Sequence, residues 1–141
     1  MSRQAGPRRS CRTLAAMRQG PVLLRRLLAW LLLLLFGCAA LILLNGALFS
    51  AWMSGGPPNP YAEGWALRSQ GQLVWALASA FAGAAAFLGV KRHPDIRRWH
   101  IGLLLASLVL AALPIVAKEV LIDKCLDGGG RWNYEGLQCE H

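Results

Sequence analysis

The sequence predicts an all-α membrane protein, with three transmembrane helices and a short extracytoplasmic C-terminal tail that a disulfide bond closes. Three observations lead to this prediction. Of the 141 residues, 55% are hydrophobic and only 16% are charged, whereas about a quarter of the residues of a soluble domain are charged. The apolar residues form three long stretches, and most basic residues lie on one side of them. Two cysteines enclose a glycine-rich segment near the C-terminus.

The overall composition excludes two other classes of protein. A chain this hydrophobic is not disordered, because disorder requires few apolar residues. Its length supports about one domain, so a second large domain is also excluded. The formal net charge of +8 is a feature of many nucleic-acid-binding proteins. The positions of the charges therefore have to be examined before their sum is interpreted.

The first predicted span covers residues 27–53 and follows a basic segment, residues 1–26. No charged side chain occurs between Arg26 and Glu63. A bilayer core of about 30 Å requires about 20 helical residues, and at about 1.5 Å per residue this span would measure about 40 Å. We therefore expect the helix either to tilt or to extend beyond the hydrocarbon layer.

Other interpretations of the N-terminal part of the chain remain open. An arginine-rich segment before an apolar run is typical of a signal peptide, but the apolar part of a signal peptide has only about 7–15 residues, so we expect a retained anchor. The sequence Leu35-Phe36-Gly37-Cys38 resembles a lipoprotein cleavage site, although the residues after it stay apolar. The absence of acidic residues from this region is also a feature of mitochondrial presequences. Met17 is an alternative start to Met1.

The second and third spans are predicted at residues 73–90 and 99–122. The loop between spans one and two, residues 54–72, begins with a run of glycines and prolines that breaks helices. Trp65 and Trp75 are expected to lie at the level of the lipid headgroups. A basic loop, residues 91–98, joins spans two and three, and a tail of residues 123–141 follows span three.

The basic residues predict the orientation of the chain. Seven arginines precede span one and four basic residues lie in the loop 91–98, whereas six of the seven acidic residues lie on the other side. Because Lys and Arg are enriched in short cytoplasmic loops, we expect a cytoplasmic N-terminus and an extracytoplasmic C-terminus. The positive charge is then explained by topology and contact with membrane lipid, and nucleic acid is not an expected partner.

Cys125 and Cys139 are predicted to form a disulfide bond in the extracytoplasmic tail. Disulfides persist in oxidising compartments, and closing a loop of this length is worth about 3 kcal/mol in the chain-entropy model. The alternative, a metal site that adds His141, lacks the usual spacing of cysteine ligands, so no metal is expected. Cys11 and Cys38 are expected to remain free.

The tail between these cysteines is the most specific stretch of the sequence. Span three is expected to remain helical to about Leu126 and to stop at the glycines, which permit a positive φ. Trp132 should then pack over the disulfide. The glycine run is not a phosphate-binding loop, because the spacing of that motif and its following helix are absent.

The tail has the pattern C-x-D-x-G-G-x-W-N-x5-C. It resembles the C-terminal tail of small bacterial inner-membrane immunity proteins, which accompany toxins of type VI and related contact-dependent systems. The resemblance covers about 15 residues and the three-span plan. It implies that the protein binds a cognate toxin at the bacterial inner membrane. The residues expected to contact this partner are Trp132, Asn133, Tyr134 and Glu135.

The spans contain few polar residues that could perform catalysis. Ionisable groups at bilayer depth are costly and usually mark function, and no Ser/His/Asp, His/Glu or paired-aspartate arrangement occurs here. We therefore predict a protein that is not an enzyme and that has no cofactor. Asn45 could donate a hydrogen bond to a neighbouring helix. Pro114 should kink span three unless the carbonyl that it frees finds another donor.

Span two is rich in small residues at four-residue spacing. Such residues allow helix backbones to approach closely in a membrane. They predict packing either within this chain or against the helix of a partner. The positions are Ala76, Ser79, Ala80, Gly83, Ala84 and Gly89.

Together these features predict a non-enzymatic binding protein of the bacterial inner membrane. The first hypothesis is an immunity protein that neutralises a membrane-acting toxin. The alternative is a small accessory or structural subunit of a larger membrane protein complex. The expected partners are membrane lipid and a second protein, and a homo-oligomer is left open.

Overall fold

A computed structural model describes residues 10–56, 58, 60–91 and 97–140, with side chains for residues 22–56, 58, 60–90 and 98–140. Residues 1–9 of the predicted basic segment, residues 92–96 of the predicted basic loop and residue 141 lie outside the described residues. The described residues form three helices and two short strands. In chain order these are α1 (Ser10–Gly55), α2 (Ala62–Lys91), α3 (Arg97–Asp127), β1 (Arg131–Asn133) and β2 (Gln138–Glu140).

All three helices are long and apolar enough to cross a membrane. The candidate spans are Val22–Gly55, Ala62–Val90 and Arg98–Asp127, with 34, 29 and 30 residues. Each exceeds the roughly 20 residues that a bilayer core requires. The predicted fold class is confirmed: the chain is an all-α, multi-pass membrane protein with a disulfide near its C-terminus.

The helices extend beyond the predicted apolar spans. Helix α2 begins at Ala62, inside the predicted loop 54–72, and α3 continues to Asp127. Hydropathy marks where polar side chains begin, whereas the backbone remains helical as long as good helix formers such as Ala, Leu, Arg and Gln follow one another. The break between α1 and α2 therefore lies between Gly55 and Ala62.

Helix α2 is the central helix of the bundle. Among the described residues, the extensive helix contacts join α1 to α2 and α2 to α3. The bundle core consists of small side chains, while large leucines face outward, as expected where lipid replaces water as the solvent. The buried residues of the helix contacts are Ala29, Ala47, Ser50, Ala76, Ala78 and Ala85.

The predicted small residues of α2 are divided between its two neighbours. A Cβ atom added at Gly83 would lie 2.9 Å from the Cβ of Phe36 on α1, and one added at Gly89 would lie 2.7 Å from the His100 ring on α3. These glycines therefore serve packing within the chain. Of the other predicted positions, Ala76 is buried, Ser79 and Ala84 are half-buried, and Ala80 is exposed.

Polar side chains join the helices at several levels. Ser107 on α3 donates a hydrogen bond of 2.9 Å to the Ala78 carbonyl, and His100 Nδ1 lies 2.7 Å from the Ala85 carbonyl. On the other side of α2, the Ser50 hydroxyl donates to Gln72 Oε1 at 3.1 Å. These bonds satisfy polar groups in the apolar layer and set the relative heights of the helices.

Helix α3 continues through Pro114 without ending. Proline lacks an N–H and removes one bond of the helix ladder. The Trp75 indole of α2 donates to the Ala111 carbonyl at 3.1 Å, beside the disrupted part of the ladder. The carbonyl that Pro114 frees is that of Leu110, four residues before it, so the Trp75 bond supports the adjacent Ala111 carbonyl and does not replace the missing donor.

Candidate functional site

The candidate site lies at the end of the bundle where the α1–α2 connection and the C-terminal tail meet. We call this end the hairpin end, because β1 and β2 form an antiparallel pair there. In the register of this pair, Trp132 is opposite Cys139, and Arg131 is opposite Glu140. We call residues 131–140 the hairpin.

The glycines after α3 turn the chain back toward the bundle. Gly128 N–H donates to the Lys124 carbonyl, Gly129 N–H to Leu126 and Gly130 N–H to Cys125. Gly129 has a φ of 74°, a conformation that glycine adopts without steric cost. The predicted helix stop at these glycines is confirmed.

The disulfide bond joins the last turn of α3 to β2. The Cα atoms of Cys125 and Cys139 are 5.6 Å apart. Trp132 is 8% exposed and packs with Ile122 and Cys125, against which Leu137 also lies. The hairpin therefore has a small apolar core that includes the disulfide, with Trp132 in the predicted place.

The Trp132 indole has an unpaired donor. Its Nε1 atom is buried and finds no hydrogen-bond partner among the described residues. A buried unpaired donor costs about 1–3 kcal/mol. Trp132 also lines a cavity of about 420 Å³ that is bounded by Glu63, Lys124 and Gln138. Three polar side chains thus line part of the cavity beside this indole, among mainly apolar residues.

Asn133 organises the turn between the strands. Its Oδ1 atom accepts hydrogen bonds from the backbone N–H groups of Glu135 and Gly136, at 2.9 and 3.0 Å. Its Nδ2 atom donates to Glu140 Oε1 at 2.6 Å. Asparagine is favoured in turns because its short amide reaches the backbone two or three residues on. The side chain of Asn133 is therefore engaged inside the hairpin.

The hairpin docks on the first turns of α2. A Cβ atom added at Gly64 would overlap the carbonyl oxygen of Gly136, and one added at Gly136 would lie 2.6 Å from the Tyr61 ring. The two backbones meet without intervening side chains, so both glycines are required for this approach. This contact joins residues that are far apart in the sequence, and it makes the hairpin part of the bundle.

Gly64→Ala is expected to displace the hairpin from α2. Alanine is the better helix former by about 1 kcal/mol, but overpacking costs about 1–3 kcal/mol, so the net change should be destabilising. The measurement is the rate at which dithiothreitol reduces the Cys125–Cys139 bond, which should rise. Gly102→Ala is the matched control, because nothing lies within 4 Å of an added Cβ at Gly102. Equal rates in both variants would contradict the docking contact.

A groove lies beside the hairpin, between the first half of α2 and the second half of α3. Its volume is about 540 Å³. The walls are mainly apolar and the rim carries charged side chains, a combination typical of binding sites. The wall residues include Leu67, Trp75, Pro114, Ile115 and Leu137, and the rim includes Arg68, Lys118 and Glu119.

The two cations of the rim contact aromatic rings. The Arg68 guanidinium lies 5.0 Å from the centroid of the Trp65 ring. The Lys118 ammonium lies 5.6 Å from the Tyr134 ring. Such cation–π contacts are worth about 0.5–1 kcal/mol at exposed sites. Within the part of the chain that the structure describes, neither cation forms a salt bridge, so both are available to an acidic group.

The four residues predicted to contact a partner have different environments. Tyr134 is 66% exposed, and Glu135 is exposed beside it. Trp132 lies in the hairpin core, and Asn133 forms the internal bonds of the turn. Tyr134 and Glu135 are thus available for direct contact, whereas Trp132 and Asn133 hold them in place.

The groove was not predicted from the sequence. Its walls come from α2, α3 and the hairpin, and no local pattern brings those segments together. Gly71 and Pro114 meet beside the groove, where an added Cβ at Gly71 would lie 3.8 Å from the Pro114 side chain, and only the packed helices bring these two residues together. Among the described residues, no group of three His, Cys, Asp or Glu side chains is placed to hold a metal ion.

Comparisons with protein-family models, with curated proteins and with solved structures found no match for this chain.

Proposed function

We propose that this chain is a non-enzymatic binding protein of the bacterial inner membrane that neutralises a cognate membrane-acting toxin. The observation that carries the proposal is the docked hairpin. The disulfide, the Trp132 core and the Gly64–Gly136 contact hold Tyr134 and Glu135 in one exposed position. A preformed surface loses little conformational entropy on binding, which raises affinity.

The surroundings of the hairpin support a protein partner. The groove offers apolar walls next to the exposed Tyr134, and tyrosine is among the residues enriched at binding hot spots. The hairpin end carries six acidic and four basic side chains, a net charge of −2. The partner is therefore an amphipathic segment with apolar side chains for the groove, an acidic group for Arg68 or Lys118 at its rim, and basic residues for the carboxylates around the hairpin.

We place the hairpin end in the periplasm and the N-terminus in the cytoplasm. The basic residues near Arg26 and Arg98 support this orientation through the positive-inside rule. A periplasm-active reporter fused after His141 should be active, and a cytoplasm-active reporter at the same point should be inactive. The opposite pair of results would reverse the orientation.

The function is tested by competition between sister cells. A strain that lacks this gene is mixed with its parent, with and without cell contact, and survival is counted. We expect killing of the deletion strain only in contact, and rescue by the wild-type chain. The Tyr134→Ala/Glu135→Ala variant should rescue at least tenfold less well, because hot-spot residues carry about 2 kcal/mol or more.

The control for this experiment is Trp99→Ala. Trp99 is 74% exposed at the opposite end of the bundle, so its loss should leave rescue unchanged. Membrane levels and disulfide content of all variants are measured on the same samples. Survival of the deletion strain in contact with its parent would contradict the proposal.

A second candidate function is an accessory subunit of a larger membrane complex. It is favoured by the lipid-facing side of α3, where large apolar side chains such as Leu108 and Val109 are 68% and 62% exposed. In that case the chain should copurify with one set of membrane proteins in mild detergent, whether or not a toxin gene is present. Purification free of other membrane proteins would count against this candidate.

A further inference from the structure

The face of α1 that turns away from α2 carries a regular apolar pattern. When α1 is numbered in heptads from Leu24 as position a, positions a and d form a stripe along four heptads. The a positions are Leu24, Leu31, Cys38, Asn45 and Trp52. The d positions are Leu27, Leu34, Leu41 and Leu48. We call these nine residues the α1 seam.

The structure leaves the entire seam uncovered. Its leucines and Trp52 are between 54% and 69% exposed, and Cys38 and Asn45 are exposed as well. The residues of α1 that contact α2 occupy the other heptad positions. Phe36, which meets Gly83, and Ser50, which bonds to Gln72, both fall at position f.

Asn45 distinguishes the seam from an ordinary lipid-facing surface. Gln72 packs against Gly46, and Arg68 lies one turn before Gln72, toward the hairpin end. Asn45, next to Gly46, therefore lies about one turn deeper in the bundle than Arg68, within the uncharged part of α1. Within the described residues this amide has no hydrogen-bond partner. Lipid offers no donors or acceptors there, whereas an amide has both and can therefore bond to a second amide.

We propose that the α1 seam is the interface of a parallel homodimer of this chain. Two copies inserted in one membrane share orientation and depth. A two-fold axis along the membrane normal then brings each seam residue next to its own counterpart. Leucine at d and a single asparagine at a are the residues that specify paired, in-register helices. Arg25 and Arg26 fall at b and c, so the seam does not oppose like charges.

The pairing places the two Cys38 thiols at the centre of the seam, one turn from Leu34 and Leu41. Oxidation of membranes that contain the full chain should therefore cross-link two copies. The Cys11→Ser background leaves Cys38 as the only cysteine outside the Cys125–Cys139 bond. Copper–phenanthroline treatment should convert the 15.3 kDa chain to a species of twice that mass, which a reducing agent restores.

Moving the thiol provides matched controls. In a Cys11→Ser/Cys38→Ala background, Leu41→Cys at position d should also cross-link, whereas Leu43→Cys at position f should not, because f faces α2. Equal cross-linking at all three positions would indicate random collision and would overturn the proposal. No cross-linking at Cys38 would mean that lipid covers the seam. A cross-linked product of any other mass would mean that a different protein covers the seam. Both of these results would overturn the proposal.

Asn45 is tested by energy transfer between labelled copies in liposomes. Asn45→Ala should weaken dimerisation by about tenfold, the effect of one interhelical hydrogen bond in a membrane. Asn45→Gln retains the amide and should keep most of the affinity. Unchanged dimerisation in Asn45→Ala would overturn the pairing of these amides. The hairpin disulfide is assayed in parallel and should be intact in every variant, since the seam lies on a different surface.

Discussion

Trp132→Ala is expected to unfold the hairpin while the three helices remain folded. Replacing a buried tryptophan by alanine costs about 3–5 kcal/mol. Proteins have a free energy of unfolding of roughly 0.05–0.15 kcal/mol per residue. The share that belongs to a segment as short as the hairpin is therefore much smaller than the cost of the substitution. The core of Ile122, Cys125 and Leu137 cannot close the resulting cavity. We therefore expect complete local unfolding.

The measurement for Trp132→Ala is limited trypsin digestion in detergent micelles. Arg131 begins β1, and its peptide bond should become accessible when the strand pair opens. Cleavage there leaves the two pieces joined by the disulfide, so it appears only after reduction. The helix content by circular dichroism should change little.

Two further variants make this result specific. Trp99→Ala removes an equally large side chain that is 74% exposed, and it should leave Arg131 protected. Trp132→Phe retains most of the apolar volume and removes the unpaired Nε1 donor, so it should be much milder than Trp132→Ala. If Trp132→Ala remained as protected as the wild type, the proposed hairpin core would be wrong.

Removal of the disulfide is the change with the second largest expected effect. The Cys125→Ala/Cys139→Ala variant loses the cross-link between α3 and β2, which span a sequence separation of 14. Closing a loop of this size is worth about 3 kcal/mol. The two strands have only three residues each, too few to remain paired without support. We expect rapid hydrogen exchange of the strand amides.

Two controls distinguish the effect of losing the disulfide bond from the effect of removing any cysteine. Cys38→Ala removes an exposed free thiol and should leave the exchange of the strand amides unchanged. Reduction of the wild-type chain should reproduce the double variant. Wild-type protection in the double variant would show that docking on α2 suffices without the covalent bond.

The loss of the disulfide also bears on the proposed function. Tyr134 and Glu135 lie in the turn that the disulfide helps to hold against α2. If their fixed position accounts for binding, the double variant should fail in the competition experiment even at normal membrane levels. Tyr134→Ala/Glu135→Ala should fail with an intact disulfide, so the two variants separate positioning from contact.

Much of the hairpin could be predicted from the sequence because its constraints are local. The pairing of Cys125 with Cys139, the helix stop at the glycines after Asp127 and the place of Trp132 follow from spacing and from the conformational freedom of glycine. The strand pair itself was not predicted, since strands of three residues carry almost no periodic signal. The role of Asn133 required the turn geometry, in which its amide accepts two backbone N–H groups.

The number of spans, their apolar character and the closed tail follow from composition and spacing alone, because the cost of polar groups in lipid depends little on what packs nearby. Composition and spacing do not determine which side of each helix faces inward. In a soluble helix, apolar periodicity marks the buried face, whereas here leucine is equally suited to lipid and to the core. The inward side is determined by how closely the surfaces fit together, as where Gly83 packs against Phe36 and Gly64 against Gly136. Such contacts join distant residues, so the groove, the docked hairpin and the uncovered seam of α1 emerge only when the helices are packed.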